Sequence, residues 1–332
     1  MDETSIRVLD MHTGGEPVRI VVGGFPPIPG ETILAKRRYV REHLDHLRRL
    51  LMFEPRGHFD MYGVLMVQAT LPGADLGVLF MHNEGYSTMC GHAAIAMGRY
   101  AVDHGLVELV DPITPVFLEC PCGLVKTYVD VRNGAVRFDS VPAFLLAEQA
   151  RVTVPGAGTV VADVAYGGAF YAVADAAQFG LDVRASRTRD LVDAATALTR
   201  AVNAALRVEH PLEPDLGFLY GSILTDGRDR PEQGPSANVC VFAASEVDRS
   251  PTGSGVTARM AARFQRGLVA RGQECLFESV TGARFTGEVA GETTCGSGPA
   301  VIVRVGGKAF YTGEARYWLE PGDELGQGFL LK

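Results

Sequence analysis

Cys90-Gly91-His92 is the stretch of this chain with the clearest chemical capacity. It sits inside Ser87-Thr88-Met89-Cys90-Gly91-His92-Ala93-Ala94-Ile95-Ala96-Met97-Gly98-Arg99-Tyr100. Thr88 can cap a helix, and the small and apolar residues from Ala93 onward fall at helical spacing. Cys90 is therefore expected at or just before a first helical turn, where free N–H groups and the positive helix end favour thiolate over thiol. The N–H groups of Gly91 and His92 can also hold a carboxylate. A base and an anion clamp would share one short turn. The plainer alternative for an isolated Cys-Gly-His is a buried thiol beside a tight turn, because free cysteine is commonly a small core residue.

A second stretch repeats the pattern. In Val247-Asp248-Arg249-Ser250-Pro251-Thr252-Gly253-Ser254-Gly255, a strand again runs into a polar turn, then glycines, then an Ala-rich helix. Residues 87–92 align with residues 249–254, so position 90 maps onto position 252, nearly half a chain later. That offset suggests a duplication in which each half offers one helix N-terminus. Two such termini facing across a cleft would hold a carboxylate from both sides, with residues 90 and 252 on opposite faces of the carbon between them. This is a geometry for removing a proton α to a carboxylate without a cofactor, the developing enediolate being stabilised by pre-oriented N–H donors.

The elements that must position these turns can be read in order. Ile6–Val22 reads as two strands joined by the Gly14-Gly15 turn. Ile33–Met52 reads as one basic helix with Leu44, Leu47, Leu50 and Leu51 on one face, and His46, Arg48 and Arg49 on a solvated surface. Strands are expected over 61–69 and 77–82, the latter leading into the Cys90 turn. Phe117–Asp130 and Ala135–Val141 read as a hairpin through Arg132-Asn133-Gly134. In the second half, strands at 152–154, 159–164 and 170–174 precede a long helix over 185–206, and strands at 217–224 and 238–243 follow. The tail from Gln273 reads as β-rich, with turns at Gly282, Gly306-Gly307 and Pro321-Gly322. The expected domains are residues 1–145 and 146–312, with strands at about 313–332 crossing back to the first.

Composition bounds the function classes. The chain has 332 residues, 47% hydrophobic and 21% charged, as in a soluble globular protein with room for two domains. No apolar run approaches the length that spans a bilayer. The acidic start Met1-Asp2-Glu3-Thr4-Ser5 does not resemble a secretory leader. Six cysteines without paired spacing read as reduced thiols of a cytoplasmic protein. A net charge of −8 argues against nucleic acid or an anionic membrane as partner.

Four stretches together resemble the proline racemase family: Asp10-Met11-His12-Thr13-Gly14-Gly15-Glu16-Pro17, Glu54-Pro55-Arg56-Gly57-His58, Met89-Cys90-Gly91-His92 and Asp248-Arg249-Ser250-Pro251-Thr252-Gly253-Ser254-Gly255. They occur in family order and span nearly the whole chain. The resemblance implies an α+β fold like that of diaminopimelate epimerase: two pseudo-symmetric domains, each a β-barrel-like sheet around a central helix. It also implies a homodimer that needs no cofactor. The family's racemases and 4-hydroxyproline epimerases use two cysteines, one per domain; the first matches Cys90, but the second falls on Thr252. A threonine hydroxyl is far less acidic than a thiol and is a poor second acid. The Cys-then-Thr branch resembles dehydratases acting on trans-3-hydroxy-L-proline. In that isomer the 3-hydroxyl and the α-hydrogen lie on one face, so one residue can take the α-proton and deliver it to the departing hydroxide. Carried over residue by residue, Gly91, His92, Gly253 and Ser254 match carboxylate-binding positions, and Asp248 matches an acid that binds the ring ammonium.

Other features carry less. His12 and His58 read as structural hydrogen-bonding residues. Cys120-Pro121-Cys122 has the spacing of half a metal site with no second ligand pair, so no metal is expected. Cys295-Gly296-Ser297-Gly298 imitates the Cys90 turn, but Pro299 and a strand follow it instead of a helix. Three rival readings stand beside dehydration. One is a proline racemase or 4-hydroxyproline 2-epimerase with an atypical second residue. Another is a nucleotide-dependent oxidoreductase built on Thr252-Gly253-Ser254-Gly255, which lacks a third glycine and a downstream acid. The third is a binding protein without turnover.

Overall fold

The computed structural model describes residues 5–331. The first four residues, on which most of the leader argument rests, lie outside them. Two compact units emerge, Met1–Val136 with Lys308–Lys332, and Arg137–Gly307.

In the first unit, β1 (Ile6–Thr13) and β2 (Glu16–Gly23) form an antiparallel hairpin. Gly14 and Gly15 close it at φ 64° and 89°, the left-handed pair that a two-residue hairpin turn requires. The expected single helix over 33–52 is two: α1 (Ile33–His43) and α2 (Asp45–Met52). The break falls at Leu44 (φ −124°, ψ 12°), and the chain restarts with Asp45 in the first turn of α2. Arg48 is not on a solvated face either. It is 4% exposed, grips Asp45 through Nε and Nη2, and donates to the His82 and Asn83 carbonyls.

β3 (Tyr62–Val67) lies parallel to β2, and β4 (Leu76–His82) lies antiparallel to β3. The short β5 (Tyr86–Ser87) turns back on β4 and leads into α3 (Gly91–Asp103). The expected strand at 117–130 is two, β6 (Ile113–Cys120) and β7 (Gly123–Asp130), turned at Pro121-Cys122; β6 runs parallel to β4. Helix α3 is buried nearly all round, which is why its sequence is Ala- and Gly-rich rather than amphipathic. It packs on β1, β2, β6 and β7. Gly98 lets β7 close on it, since a Cβ there would stand 3.0 Å from Thr127 Oγ1.

β8 (Ala135–Asp139) carries the chain into the second unit. There β9 (Phe144–Val154), β10 (Gly158–Tyr166) and β11 (Phe170–Asp175) are successively antiparallel. Helix α4 (Thr188–Ala205) buries Leu191, Ala195, Leu198 and Val202, an apolar stripe at helical spacing, against the sheet. β12 (Leu219–Thr225) is parallel to β11, then β13 (Ser236–Phe242) and β14 (Glu246–Asp248) run antiparallel. Helix α5 (Gly253–Gln265) follows, then β15 (Cys275–Glu278), parallel to β13, and β16 (Arg284–Cys295). The last strand, β17 (Gly298–Tyr317), pairs with β16 at its start and with β1 over residues 309–317. Gly306 and Gly307 lie inside it and form no turn.

The pairing repeats element by element. β1–β2, β2 with β3, β3–β4, β4–β5, the buried α3, then β4 with β6 have the same order and sense as β10–β11, β11 with β12, β12–β13, β13–β14, the buried α5, then β13 with β15. Each unit is thus an α+β body in which a sheet wraps one buried helix, and the duplication is real.

Candidate functional site

Both sequence-derived turns are the N-termini of the buried helices, and they differ in a way that decides their chemistry. In the first unit Cys90, not Thr88, is the N-cap of α3 (φ −145°, ψ 110°). Its Sγ accepts the Ala93 N–H at 3.3 Å, so the sulfur itself satisfies a free helix donor. Cys90 is 4% exposed and His92 3%. The His92 ring lies against the sulfur, Nδ1 at 3.1 Å and Nε2 at 3.5 Å. A cysteine at a helix N-terminus with an imidazole at hydrogen-bond distance is an arrangement that activates a thiol.

His92 is held from two sides. Its carbonyl accepts from Thr13 Oγ1 (2.9 Å), pinning the first turn of α3 to the tip of the β1–β2 hairpin. Its ring meets the Tyr62 ring edge-on at 4.8 Å, and Tyr62 hydrogen-bonds Ser87 through its hydroxyl. The β6–β7 turn closes against the same segment, Cys122 donating its N–H to the Thr88 carbonyl (3.1 Å). Burial, then the neighbouring Cys122 and Cys90 thiols, hold the Cys120 thiol well above the usual range, so Cys120 stays protonated and inert.

In the second unit Thr252 occupies the same position before α5, but with φ 65°, a left-handed conformation costly for a β-branched residue. Its hydroxyl makes no cap. Oγ1 is buried and has no hydrogen-bond partner among the described residues, while the backbone N–H donates to Ser250 Oγ (3.0 Å) and the carbonyl accepts from Val256 (2.7 Å). Asp248, 4% exposed at the end of β14, fixes this turn by accepting the Ser250 N–H at 2.7 Å through Oδ1. Ser254, the counterpart of His92, shares a 2.7 Å hydrogen bond with the buried Tyr171 hydroxyl. The β10–β11 hairpin tip at Gly167-Gly168 abuts α5 as the Gly14-Gly15 tip abuts α3. A Cβ on Gly167 would stand 2.1 Å from the Ser254 carbonyl oxygen.

Cys90, Gly91 and His92 are thus gathered at one helix start, and Asp248, Thr252, Gly253 and Ser254 at the other. Sequence reasoning assigned only backbone to His92 and missed Tyr62 and Tyr171, because nothing in a strand pattern distinguishes a tyrosine that supports a site. The two Gly-Gly hairpin tips were the available signal for which loops touch the helices. His12 and His58 make local contacts, His12 Nδ1 accepting from Gly15 N–H (3.2 Å) and His58 Nδ1 lying 2.7 Å from the Phe59 carbonyl. Cys295 is buried, with its thiol pushed up by burial and His210 Nε2 at 3.8 Å, in the hairpin between β16 and β17. Among the described residues, no helix is long and apolar enough to cross a membrane.

Comparison with known proteins gives this geometry its context. The proline racemase family pattern matches residues 8–330. Trans-L-3-hydroxyproline dehydratase of Xenopus tropicalis is 56% identical over 336 residues, spanning 100% of this chain and 97% of that protein. The 3-hydroxyproline 2-epimerase of Burkholderia multivorans is 45% identical over 331 residues, spanning 99% and 98%. The crystal structure of a hydroxyproline epimerase from Agrobacterium vitis, with bound trans-4-hydroxy-L-proline, is 30% identical with a TM-score of 0.93, covering 99% of this chain and 95% of that one. A pattern that runs from β1 to the last residues of the chain, and relatives this similar along their whole length, leave one conclusion: the chain belongs to the proline racemase family.

Proposed function

We propose that this protein is a hydro-lyase that dehydrates trans-3-hydroxy-L-proline to Δ1-pyrroline-2-carboxylate, with Cys90 as the α-proton acceptor. The observation that carries this reading is the asymmetry between the two helix starts. Cys90 has an imidazole at 3.1 Å to assist ionisation; Thr252 presents a buried hydroxyl that no group among the described residues polarises through a hydrogen bond. One competent acid–base group fits a reaction that uses a single substrate face. The names of the dehydratase relatives support the same substrate.

The Cys90 thiolate removes the α-proton, and the carbanion is stabilised by carboxylate binding at the N–H groups of Gly91, His92, Gly253 and Ser254. The Cβ–O bond then breaks, and the proton on Cys90 leaves with hydroxide as water. The resulting enamine tautomerises to the cyclic imine without net oxidation or reduction. Asp248 binds the ring ammonium, and Thr252 packs beside the substrate without exchanging protons. The two compact units act as the two epimerase-like domains of a cytoplasmic homodimer that uses neither metal nor organic cofactor; family resemblance and the unpaired spacing of the cysteines support these points.

The second reading is a proline racemase or 4-hydroxyproline 2-epimerase; one relative bears the name of a 3-hydroxyproline 2-epimerase, but the more similar relatives bear dehydratase names and do not favour it. A panel of proline and hydroxyproline isomers separates the two: pyrroline-2-carboxylate from trans-3-hydroxy-L-proline supports dehydration, whereas a D-isomer formed without loss of water supports epimerisation.

A further inference from the structure

Away from both helix starts, the second unit contains a cavity of about 290 Å³ lined by the C-terminal half of α5 and by strands β10 and β11. Two arginines one helical turn apart, Arg259 and Arg263, reach its wall, and both are nearly fully buried, at 3% and 4% exposed. Arg259 lies roughly 9 Å along the helix from Gly253, six residues at 1.5 Å each. The two guanidinium groups flank the Phe277 ring, at 4.8 and 4.9 Å from its centroid.

Their hydrogen bonding is incomplete. Arg259 donates to two neutral side chains, Asn238 Oδ1 (2.9 Å) and Ser236 Oγ, and to no carboxylate among the described residues. Arg263 donates to the Arg228 carbonyl (2.6 Å), at 3.3 Å to Asp229, and to the Cys275 sulfur. The Nε atoms of both are buried without a partner among the described residues. A buried charge is ordinarily paired, and a buried donor ordinarily bonded, because leaving either bare is costly. Burial and the neighbouring Arg263 lower the Arg259 pKa to about 9, which leaves it cationic at neutral pH.

The acids of the cavity sit further out. The Asp229 side chain is 40% exposed and the Asp163 side chain 13%, the latter already held by Arg266 Nη1 at 3.0 Å. Asp175 uses Oδ1 to accept the Ala177 N–H (2.9 Å); Oδ2 makes no hydrogen bond among the described residues and borders Gly227. The inner wall is therefore cationic, while the outer wall carries three carboxylates against the one cation of Arg266, which pairs with Asp163 and Asp229 and leaves Asp175 unpaired by it. A phosphate would meet repulsion from the aspartates, and a simple amine would meet repulsion from the arginines.

We propose that this cavity is a second binding site, for a small zwitterion whose carboxylate faces Arg259 and Arg263 and whose ammonium faces Asp175. It requires no chemistry at Cys90 and stands independently of the reaction assigned above. Ligand-detected saturation-transfer NMR on the full chain tests it with glycine, acetate, methylamine and inorganic phosphate as probes. Glycine gives saturable binding, and acetate and methylamine each bind about tenfold more weakly or worse, since each forfeits one set of charge-assisted hydrogen bonds. Val161→Phe, which fills the cavity from the half-buried face of β10, lowers glycine affinity by about the same factor and leaves turnover intact. Asp175→Asn retains the Ala177 contact, weakens glycine and spares acetate. Absence of saturable glycine binding, glycine binding undiminished in both variants, or phosphate binding tighter than glycine would overturn the assignment.

Discussion

Replacing Asp248 by asparagine isolates the charge that is assigned to the substrate's ring ammonium. Asp248 uses Oδ1 to accept the Ser250 N–H at 2.7 Å, and an asparagine amide oxygen can keep that bond, so the turn before Thr252 survives. What is lost is a negative charge at a side chain only 4% exposed. Removing one partner of a buried ion pair costs about 3–5 kcal/mol. At about 1.36 kcal/mol per tenfold, KM for trans-3-hydroxy-L-proline should rise by roughly two to nearly four powers of ten. The fold should persist, with a melting temperature within a few degrees of the parent. Initial-rate kinetics supply the first readout. The second is competitive inhibition by cyclopentanecarboxylate, which keeps the carboxylate but has no ring nitrogen. Its inhibition constant should barely change in Asp248→Asn. An unchanged KM, or equal loss for the two ligands, would place Asp248 outside the ammonium site.

Three further outcomes are expected. Cys90→Ser should abolish turnover with an unchanged circular dichroism spectrum, whereas Cys295→Ser, in a hairpin with no helix behind it, should retain activity; the reverse result would move the site. Thr252→Cys places a thiol at the duplicate position and should introduce measurable 2-epimerisation of proline or 4-hydroxyproline, read by chiral chromatography, at the expense of dehydration. For acid stability, burial pushes the Asp226 carboxyl up, but the Ala237 N–H and the Arg184 guanidinium outweigh it, so its folded-state pKa lies below the ordinary value. Its contribution is therefore present above the unfolded pKa of about 4 and is lost as pH falls through the folded value. Thermal melts of Asp226→Asn should show a smaller loss of stability below about pH 4 than the parent.

The duplication was legible because it is written in residue types. Both helix starts require small residues beside a polar turn, and the spacing from Cys90 to Thr252 exposes the repeat. The buried helices were legible for a related reason: only Ala- and Gly-rich segments fit inside a wrapping sheet. What stayed hidden depends on partners distant in sequence. Arg48 reads as a surface residue until the carbonyls of His82 and Asn83 are brought to it. Gly306-Gly307 reads as a turn, yet β17 continues through both, with Gly306 opposite Thr286 of β16. The helix break at Leu44 has neither Pro nor Gly to announce it. In the candidate site, Cys90, Asp248 and Thr252 were proposed from motif and register, and the structure places each at or just before a helix start. The His92 imidazole beside the sulfur was not, because two residues' separation places side chains together only when the first is a cap in extended conformation, as Cys90 is.

The central claim is that one acidic face, not two, determines the outcome. Its most direct test is incubation of the native protein in D2O with trans-3-hydroxy-L-proline and, separately, with L-proline, followed by chiral chromatography and mass spectrometry. Pyrroline-2-carboxylate is the expected product of the first substrate, with no D-proline from the second. Rapid conversion of L-proline to deuterated D-proline with Thr252 in place would contradict it.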